Sequence, residues 1–306
     1  HIMTISLFSG QGSQYPGMGR DIAESSPELM NILETGSAVL GRDLKSICFD
    51  SAPEELSRTI NAQPAIMAVS LMCFNAAVNR GYTTEGVAGH SLGEYAAMAT
   101  SGMITLEDAF RLIKARSEAM DEAARAQKGA MAAIMKIDPS TVEEVCSNAK
   151  EYAAAVNFNS PQQTVIAGTP EGIAEVSAVF ADMKARVIPL NVAGAFHSKL
   201  MQTAADKFYE AAKAITFKAP QVKYYSNVTG GELNDFSDMP ALLAKHIVSP
   251  VRFTSELEAM RNAGADRFAE FGPGRTLTGL VKKTLKDVSA YSIENLETLE
   301  GAAIYE

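Results

Sequence analysis

The sequence is poor in cysteine, with only Cys48, Cys73 and Cys146 among 306 residues. The three are odd in number and widely spaced, and none belongs to a CxxC pair or stands among clustered histidines. This spacing favours neither a disulfide framework nor a zinc site. We therefore expect buried thiols in a reducing compartment, and we predict no metal site.

Basic residues are also few, because 27 Lys and Arg stand against 36 Asp and Glu and leave a net charge of -9. This balance, with no aromatic-basic stretch to offset it, argues against a general nucleic-acid binder. Phosphates or an acidic carrier would need local basic groups. Lys282, Lys283 and Lys286 form one such cluster, although a solvated helix face is the simpler interpretation of it.

Long apolar stretches are missing too, since no run of about 18 or more uncharged apolar residues occurs. The first residues do not follow the basic, apolar, small-residue order of a signal peptide. We therefore expect a soluble, cytoplasmic protein with no membrane partner. His1 and Ile2 precede Met3, and we interpret them as an expression scar and leave His1 out of the chemistry.

The chain does contain 47% hydrophobic residues, and its strand-like and helix-like stretches alternate, which is typical of an α/β protein. Between residues 129 and 192 the order is strand, helix, strand, strand, helix, strand. This order predicts a small ferredoxin-like domain at 128–194. It is inserted into a large α/β-hydrolase-like domain with a parallel sheet, at 3–127 and 195–306. Catalytic residues beside the insertion would lie in the cleft between the domains. The four predicted strands of the insertion are Ala130–Ile137, Ala153–Asn159, Thr164–Ala167 and Arg186–Asn191.

One pentapeptide, Gly89-His90-Ser91-Leu92-Gly93, fits the G-x-S-x-G nucleophile elbow. In such an elbow the glycines let a strand turn sharply into a helix, and the serine oxygen stays exposed. The pattern alone also fits an ordinary Gly-rich turn. A predicted strand before it and the helix-forming run Glu94–Ser101 after it favour the nucleophile. The backbone N–H of Leu92 would then help to hold an oxyanion.

A serine nucleophile needs a base, and once His1 is set aside only His90, His197 and His246 remain. His90 adjoins the serine, and its side chain should point away across the tight turn. His197 follows the last predicted strand of the small domain, where the chain returns to the large one, so we expect it at the cleft. No carboxylate presents itself as a third member. A main-chain carbonyl that accepts the Nδ1 proton is an alternative way to orient the imidazole.

Arg116 is the candidate for binding an anion. The run from Thr105 carries apolar residues at helical spacing, and Arg116 falls at the edge of that apolar stripe beside small neighbours. A buried arginine must find an anion, because an unpaired buried charge costs several kcal/mol. Helical position alone favours a structural salt bridge over a substrate carboxylate, whereas closeness to the Ser91 helix favours the substrate.

Seven short blocks taken together resemble the malonyl-CoA:acyl carrier protein transacylases, and the resemblance runs from about Ile5 to beyond Leu280. So many blocks in the right order are far more specific than any one alone. The blocks are Phe8-Ser9-Gly10-Gln11-Gly12-Ser13-Gln14, Gly89-His90-Ser91-Leu92-Gly93-Glu94, Arg116, Val156-Asn157-Phe158-Asn159-Ser160, Ala195-Phe196-His197-Ser198, Ser249-Pro250-Val251-Arg252-Phe253 and Phe271-Gly272-Pro273-Gly274.

This resemblance implies a role for each of five residues. Ser91 would be the acylated nucleophile and His197 its base. The backbone N–H groups of Gln11 and Leu92 would form the oxyanion hole, and Arg116 would pair with the malonyl carboxylate. For Gln11, the residues alone indicate only a Gly-flanked turn.

Further residues enter through the same resemblance. Phe196 resembles the bulky aromatic of malonyl-selective members, which crowds out the branch of a methylmalonyl group. Asn159 and His90 are expected in the substrate pocket, although an Asn before Ser-Pro is also typical of a turn. His246 stands where the family commonly has Gln, and its main-chain carbonyl would orient His197. A side chain of His246 that titrates and perturbs His197 is the alternative.

The implied activity is transfer of a malonyl group from malonyl-CoA to the phosphopantetheine thiol of acyl carrier protein through a malonyl-serine, in fatty acid biosynthesis. No cofactor is implied, and we expect a monomer. One alternative is a trans-acting acyltransferase of a polyketide synthase. A serine thioesterase or hydrolase is another, although an ordinary α/β-hydrolase keeps its histidine close to the C-terminus, which His197 does not match. A non-catalytic module that binds the carrier is the third.

Overall fold

Two separate β-sheets organise the computed structural model, which describes residues 1–306. The ten strands are β1 (Thr4–Phe8), β2 (Gly86–Gly89), β3 (Ala130–Met135), β4 (Ala153–Ser160), β5 (Gln163–Gly168), β6 (Arg186–Pro189), β7 (Lys223–Ser226), β8 (Gly231–Glu232), β9 (Arg267–Phe271) and β10 (Ser289–Ile293). The larger sheet has the order β10-β9-β1-β2-β7-β8 and is parallel except for the pair β7 and β8. The smaller sheet has the order β4-β5-β3-β6 and is antiparallel throughout.

Helices cover the faces of both sheets. They are α1 (Arg20–Glu24), α2 (Pro27–Leu40), α3 (Leu44–Asp50), α4 (Pro53–Leu56), α5 (Thr59–Asn79), α6 (Gly93–Thr100), α7 (Leu106–Ala126), α8 (Pro139–Ser147), α9 (Pro170–Asp182), α10 (Gln202–Ala212), α11 (Met239–Ile247), α12 (Phe253–Asn262), α13 (Thr276–Thr284) and α14 (Leu296–Gly301), with a short 3₁₀ turn at Lys199–Met201. The chain is therefore mixed α/β, with a mainly parallel sheet and a separate antiparallel one.

The middle of the larger sheet positions the elbow. All five residues of β1 are buried, as in a parallel strand that is covered on both faces. β1 and β2 run parallel with Phe8 opposite Gly89, so both strands end at the same edge of the sheet. The segments that follow them, which hold Gln11 and Ser91, therefore come together although they are distant in sequence.

Helix α5 begins earlier than its sequence suggests. The apolar pattern predicts a helix from Ala65, just after a proline, but the helix starts at Thr59 and contains Pro64. Pro64 has no N–H for the carbonyl of Ile60, which a regular helix would need. Arg42 Nη2 donates to that oxygen instead, at 2.8 Å. The side chain of Arg42 thus compensates for the proline.

The same helix, α5, is the most apolar long helix of the chain by the measures used for membrane spans. Although α5 contains polar residues, by length and composition alone it would suffice to cross a membrane. Inside this protein, 89% of its most apolar window is buried. A largely buried helix of this kind is what the core of a globular protein also produces.

All four strands predicted between residues 129 and 192 are present in the smaller sheet. β6 ends two residues before the predicted end, at Pro189, whose nitrogen has no hydrogen to donate to a partner strand. The sheet is joined to the rest of the protein through β4. Phe158 N–H donates to the carbonyl of Val251 at 2.9 Å, and Val251 N–H donates to the carbonyl of Val156 at 2.7 Å.

Candidate active site

Ser91 occupies a sharp turn between β2 and α6 and has a left-handed backbone with φ 56°. The flanking glycines are required by space. A Cβ on Gly89 would lie 2.0 Å from the carbonyl carbon of Gly93, and a Cβ on Gly93 would lie 2.2 Å from the carbonyl oxygen of Phe8. The turn is therefore packed directly against β1, and the strand, turn and helix predicted around Ser91 are observed.

Ser91 Oγ lies 2.7 Å from His197 Nε2. On the other side of the ring, His197 Nδ1 lies 2.9 Å from the carbonyl oxygen of His246 and 3.1 Å from that of Ser249. Because carbonyl oxygens only accept, Nδ1 must carry the proton and Nε2 must be bare. Main-chain carbonyls thus fix the tautomer that can accept the Ser91 proton, where other serine enzymes use a carboxylate.

The environment of His197 keeps its imidazole neutral. Burial, reinforced by the positive charge of Arg116, lowers the pKa of His197 to about 3. The two carbonyl contacts at Nδ1 act in the opposite direction but do not outweigh burial. Nε2 therefore stays unprotonated and available as a base at neutral pH.

Arg116 extends from α7 into the same place and is only 1% exposed. Its Nη1 donates to Gln63 Oε1 at 2.9 Å, and its Nη2 lies 3.4 Å from Ser91 Oγ. The guanidinium is 5.5 Å from the ring centre of Tyr95, and its Nε has no partner. Arg116 makes no salt bridge with a carboxylate of the chain, so a structural ion pair, one of the two interpretations of this arginine, is wrong.

Gln11 and Leu92 come from different segments, and both line the cavity at Ser91. Gln11 follows β1 and Leu92 follows Ser91, and neither amide has an acceptor within the protein. The side chain of Gln11 is held, because Thr59 Oγ1 donates to Gln11 Oε1 at 3.0 Å. Gln63 Nε2 in turn donates to Thr59 Oγ1 at 2.8 Å, so a chain of side chains connects Gln11 with Arg116.

These groups surround a small cavity of about 80 Å³. Its walls include the elbow, Arg116, His197, Phe196 and Met120. A wider cavity of about 480 Å³ adjoins it and shares Gln11 and Phe196 with it. The smaller cavity is therefore large enough for an acyl group at the nucleophile, and the wider cavity forms a vestibule outside it.

Asn159 does not line the substrate cavity, where the sequence analysis expects it. His90 is on the cavity wall, but Asn159 is not among the wall residues, and Asn157 is there instead. Asn159 Oδ1 lies 2.7 Å from His90 Nε2. Since the amide oxygen only accepts, His90 donates to it and is itself turned away from the Ser91 oxygen. Asn159 thus lies behind the wall, in contact with His90.

The side chain of His246 hydrogen-bonds Asn227, and its ring centre lies 5.2 Å from that of His197. His246 Nε2 lies 2.9 Å from Asn227 Oδ1 and 3.3 Å from Glu94 Oε2. Burial lowers the pKa of His246 well below its ordinary value, so the contact with Glu94 is no ion pair. The alternative that His246 titrates beside His197 near neutral pH is not supported by this environment.

Sequence reasoning missed several buried polar residues around the site, chiefly Gln63, Glu94 and Asn227. Each makes at least one hydrogen bond to a segment far away in sequence, and Asn227 is 136 residues from Ser91. The only local signal was a polar residue within an apolar helix, as for Gln63 in α5. The chain contains no group of three or more His, Cys, Asp or Glu arranged to hold a metal ion.

Comparison with known proteins agrees with this arrangement. The family model described as acyl transferase domain matches residues 6–299. A malonyl CoA-acyl carrier protein transacylase of Bacillus subtilis (strain 168) is 37% identical over 300 residues, covering 97% of this chain and 95% of the relative. The protein of the same name from Escherichia coli (strain K12) is 36% identical, with 97% of each chain covered.

Solved structures agree with the sequence relatives. The malonyl CoA-acyl carrier protein transacylase of Clostridium perfringens superposes with a TM-score of 0.93 at 32% identity, covering 97% of this chain and 95% of the other. A malonyl-transacylase in complex with a type II polyketide synthase acyl-carrier protein also gives 0.93, at 33% identity, with 97% and 98% covered. The chain therefore belongs to the acyl transferase domain family and, within it, to the malonyl CoA-acyl carrier protein transacylases.

Proposed function

We propose that this acyltransferase moves a malonyl group from malonyl-CoA to the phosphopantetheine thiol of acyl carrier protein, through an ester on Ser91. The observation that carries the proposal is that His197 Nε2 and Arg116 Nη2 both converge on Ser91 Oγ, at 2.7 and 3.4 Å. A base at the nucleophile provides acyl transfer. A buried cation beside it selects an acyl group that carries a negative charge.

The first step would form the acyl-enzyme. His197 Nε2 takes the Ser91 proton while Oγ attacks the thioester carbonyl of malonyl-CoA, and the resulting oxyanion is held by the N–H groups of Gln11 and Leu92. One such donor contributes about 3 kcal/mol to catalysis. The carbon–sulfur bond then breaks, and His197 returns the proton to the departing coenzyme A thiolate.

The second step reverses the chemistry with another thiol. The phosphopantetheine thiol of the carrier loses its proton to His197, attacks the ester carbonyl, and the bond to Ser91 Oγ breaks as the serine regains a proton. Because both half-reactions pass through the same ester, the kinetics should be ping-pong and reversible. Every bond change is an acyl transfer, so the proposed route needs no metal or redox cofactor.

The free edge of Arg116 explains why malonyl is the favoured group. Nη1 is occupied by Gln63, whereas Nε has no partner and Nη2 faces the serine. Nε and Nη2 form one planar edge of the guanidinium, which matches the two oxygens of a carboxylate. Phe196, on the wall of the cavity, would exclude a branched methylmalonyl group.

The division of the chain is also part of the proposal. Residues 128–194 would form the ferredoxin-like domain, supported by the order β3, α8, β4, β5, α9, β6. Residues 3–127 and 195–306 would form the α/β-hydrolase-like domain, supported by the parallel strands and the Ser91 elbow. We infer a cytoplasmic monomer.

A carrier protein of polyketide synthesis is the second candidate acceptor. One observation favours it, namely that a structural neighbour at 33% identity is a malonyl-transacylase bound to a type II polyketide synthase acyl-carrier protein. The chemistry at Ser91 is the same for either carrier. A serine hydrolase is less favoured, because hydrolysis has no use for Arg116 in the acyl cavity.

The proposal predicts a covalent malonyl-enzyme. After brief mixing with malonyl-CoA, the mass of the intact protein should rise by one malonyl unit, and addition of holo carrier protein should remove it faster than water does. Ser91→Ala should remain unlabelled, and His197→Ala should label far more slowly while staying folded. Labelling that persists in Ser91→Ala would place the nucleophile elsewhere. Loss of the label at equal rates with and without carrier would indicate a hydrolase.

A further inference from the structure

Asn227 is fully buried directly behind the nucleophile, in the segment that follows β7. Its Oδ1 accepts a hydrogen bond from the backbone N–H of Ser91 at 2.8 Å. Its Nδ2 donates to the carbonyl oxygen of Gly89 at 2.7 Å. One amide group therefore bridges the turn, with one contact before the serine and one at the serine itself.

The orientation of this amide is fixed by its partners. The Ser91 N–H can only donate and the Gly89 carbonyl can only accept, so Oδ1 must face the serine and Nδ2 must face the glycine. A second contact at each end holds the group. His246 Nε2 lies 2.9 Å from Oδ1, and Nδ2 also donates to Glu256 Oε2 at 2.8 Å.

The role of His246 follows from the same reasoning. Oδ1 of Asn227 only accepts, so the Nε2 of His246 carries the proton, and its buried Nδ1 has no partner. The backbone N–H of Asn227 is held too, by Glu94 Oε2 at 3.0 Å. Gly89, Glu94, His246 and Glu256 are buried together with Asn227, so water competes little for the contacts they make with it.

We propose that Asn227 is a positioning residue that holds the nucleophile elbow, and that the side chain of His246 keeps its amide in place. This rests on the function proposed above for Ser91. A non-glycine residue in the left-handed region is strained and stays there only when its surroundings enforce it. The Asn227 amide supplies that enforcement at Ser91, next to the N–H of Leu92. Without it, Ser91 Oγ and the Leu92 N–H would both shift relative to His197.

The first test is Asn227→Ala. Arg116 and the cavity do not contact Asn227, so KM for malonyl-CoA should stay within about twofold, whereas kcat should fall about tenfold to a hundredfold, the loss expected for a small misplacement of reacting groups. Asn61→Ala is the matched control. Asn61 is equally polar and buried, but it bonds only Arg42 and Glu55, so its loss should affect the midpoint of thermal unfolding and leave kcat unchanged.

The second test uses His246, in case Asn227→Ala does not fold. His246→Gln retains an N–H donor for Asn227 and should keep most of kcat, whereas His246→Leu loses the donor and should lower kcat with KM unchanged. In the double variant of Asn227→Ala and His246→Leu the two losses should not add, since both act through one amide. An Asn227→Ala enzyme that folds with the kcat of the Asn61→Ala control overturns the proposal. So does a His246→Leu enzyme as active as His246→Gln.

A small active ester separates this inference from the proposed function. The burst of nitrophenolate released from p-nitrophenyl acetate measures acylation of Ser91 without a malonyl group or a carrier. Asn227→Ala should lower this burst rate by the same factor as kcat, while Asn61→Ala should not. If the wild type gives the burst but takes no malonyl from malonyl-CoA, the substrate assignment fails. The comparison of variants with the ester still decides the role of Asn227.

Discussion

At the scale of single residues, Arg116 separates malonyl transfer from general acyl transfer. Its guanidinium is buried without a carboxylate partner in the chain, and its Nε is unpaired. Burial lowers the pKa of Arg116. Because the ordinary pKa of arginine is so high, the group still remains charged at neutral pH. A buried cation with a free edge has room for one more anion, which the malonyl carboxylate would supply.

Arg116→Ala should therefore invert or flatten acyl selectivity. Malonyl transfer should fall by orders of magnitude because the carboxylate loses a charge-assisted pair, and acetyl transfer should stay similar or improve because acetyl has no charge to lose. The measurement is kcat/KM for malonyl-CoA and acetyl-CoA with wild type and variant. Arg111→Ala, on the exposed side of α7, is the control and should change neither. An equal fall for both thioesters would make Arg116 a purely structural residue.

The residues that the sequence could and could not indicate differ in where their partners lie. Ser91 is marked by its own neighbours, and His197 by the scarcity of histidine. Asn227 carries no such mark, because Ser226, Asn227 and Val228 look like an ordinary turn and the contacts to Gly89 and Ser91 come from the fold. The sequence could not predict the free edge of Arg116 either, because its position on the helix is equally consistent with a salt bridge inside the protein.

At the scale of elements, the close contact of α6 with β1 depends on Gly93. A Cβ there would lie 2.2 Å from the carbonyl oxygen of Phe8 and 3.0 Å from that of Ser9, both of them backbone atoms that cannot rotate away. Gly93→Ala should therefore displace the elbow from β1. We expect a loss of about 1–3 kcal/mol in the free energy of unfolding, as for overpacking in a core, together with most of the acylation rate.

The matched control for this substitution is Gly279→Ala in α13. A Cβ at Gly279 meets nothing within 4 Å, so alanine should leave activity unchanged and raise the free energy of unfolding by about 0.4–1 kcal/mol through its higher helix propensity. Urea unfolding and acylation rates measure both variants. A Gly93→Ala protein as stable and active as wild type would show that the turn can move away from β1 at little cost.

Element boundaries show the same limit of sequence reasoning. The strands of the smaller sheet were predictable because their apolar residues and turns are local. The start of α5 was not, because Pro64 is accommodated by Arg42, which lies 18 residues before the carbonyl it bonds. A helix start that depends on a distant side chain leaves no pattern in the helix itself.

At the scale of the whole molecule, two sets of buried titratable groups have opposite effects on how the free energy of unfolding changes with pH. Burial lowers the pKa of one set, the histidines His90, His197 and His246. Burial raises the pKa of the other set, Glu94, Glu256 and Glu270, and brings Glu94 and Glu270 to about 7. Exposed carboxylates with lowered pKa values add a smaller effect at acid pH, and these are Asp43, Glu122, Asp138, Glu175 and Asp235.

The sign of each contribution follows from which state binds more protons. Below the ordinary histidine pKa of 6.5, the histidines bind protons in the unfolded chain but stay neutral in the folded protein. Their contribution to stability is therefore lost as pH falls. Above the ordinary glutamate pKa of 4.5 the unfolded chain releases protons that the buried carboxyls keep, so their contribution is lost as pH rises toward 7. Each group changes the free energy of unfolding by at most about 1.4 kcal/mol per pH unit.

The free energy of unfolding should therefore be greatest and nearly flat between pH 4.5 and 6.5, where the two sets cancel. It should fall steeply on the acid side, where the histidines act alone, and more gently above pH 6.5, where only the glutamates act. Urea unfolding at a series of pH values tests this. Glu256→Gln should make the fall of the unfolding free energy above pH 6.5 less steep and leave its fall at acid pH unchanged. His246→Gln should make the fall at acid pH less steep and leave the fall above pH 6.5 unchanged. Stability that keeps rising from pH 6.5 to 7 in the wild type, or an alkaline slope unchanged by Glu256→Gln, would contradict the assignment of these buried protons.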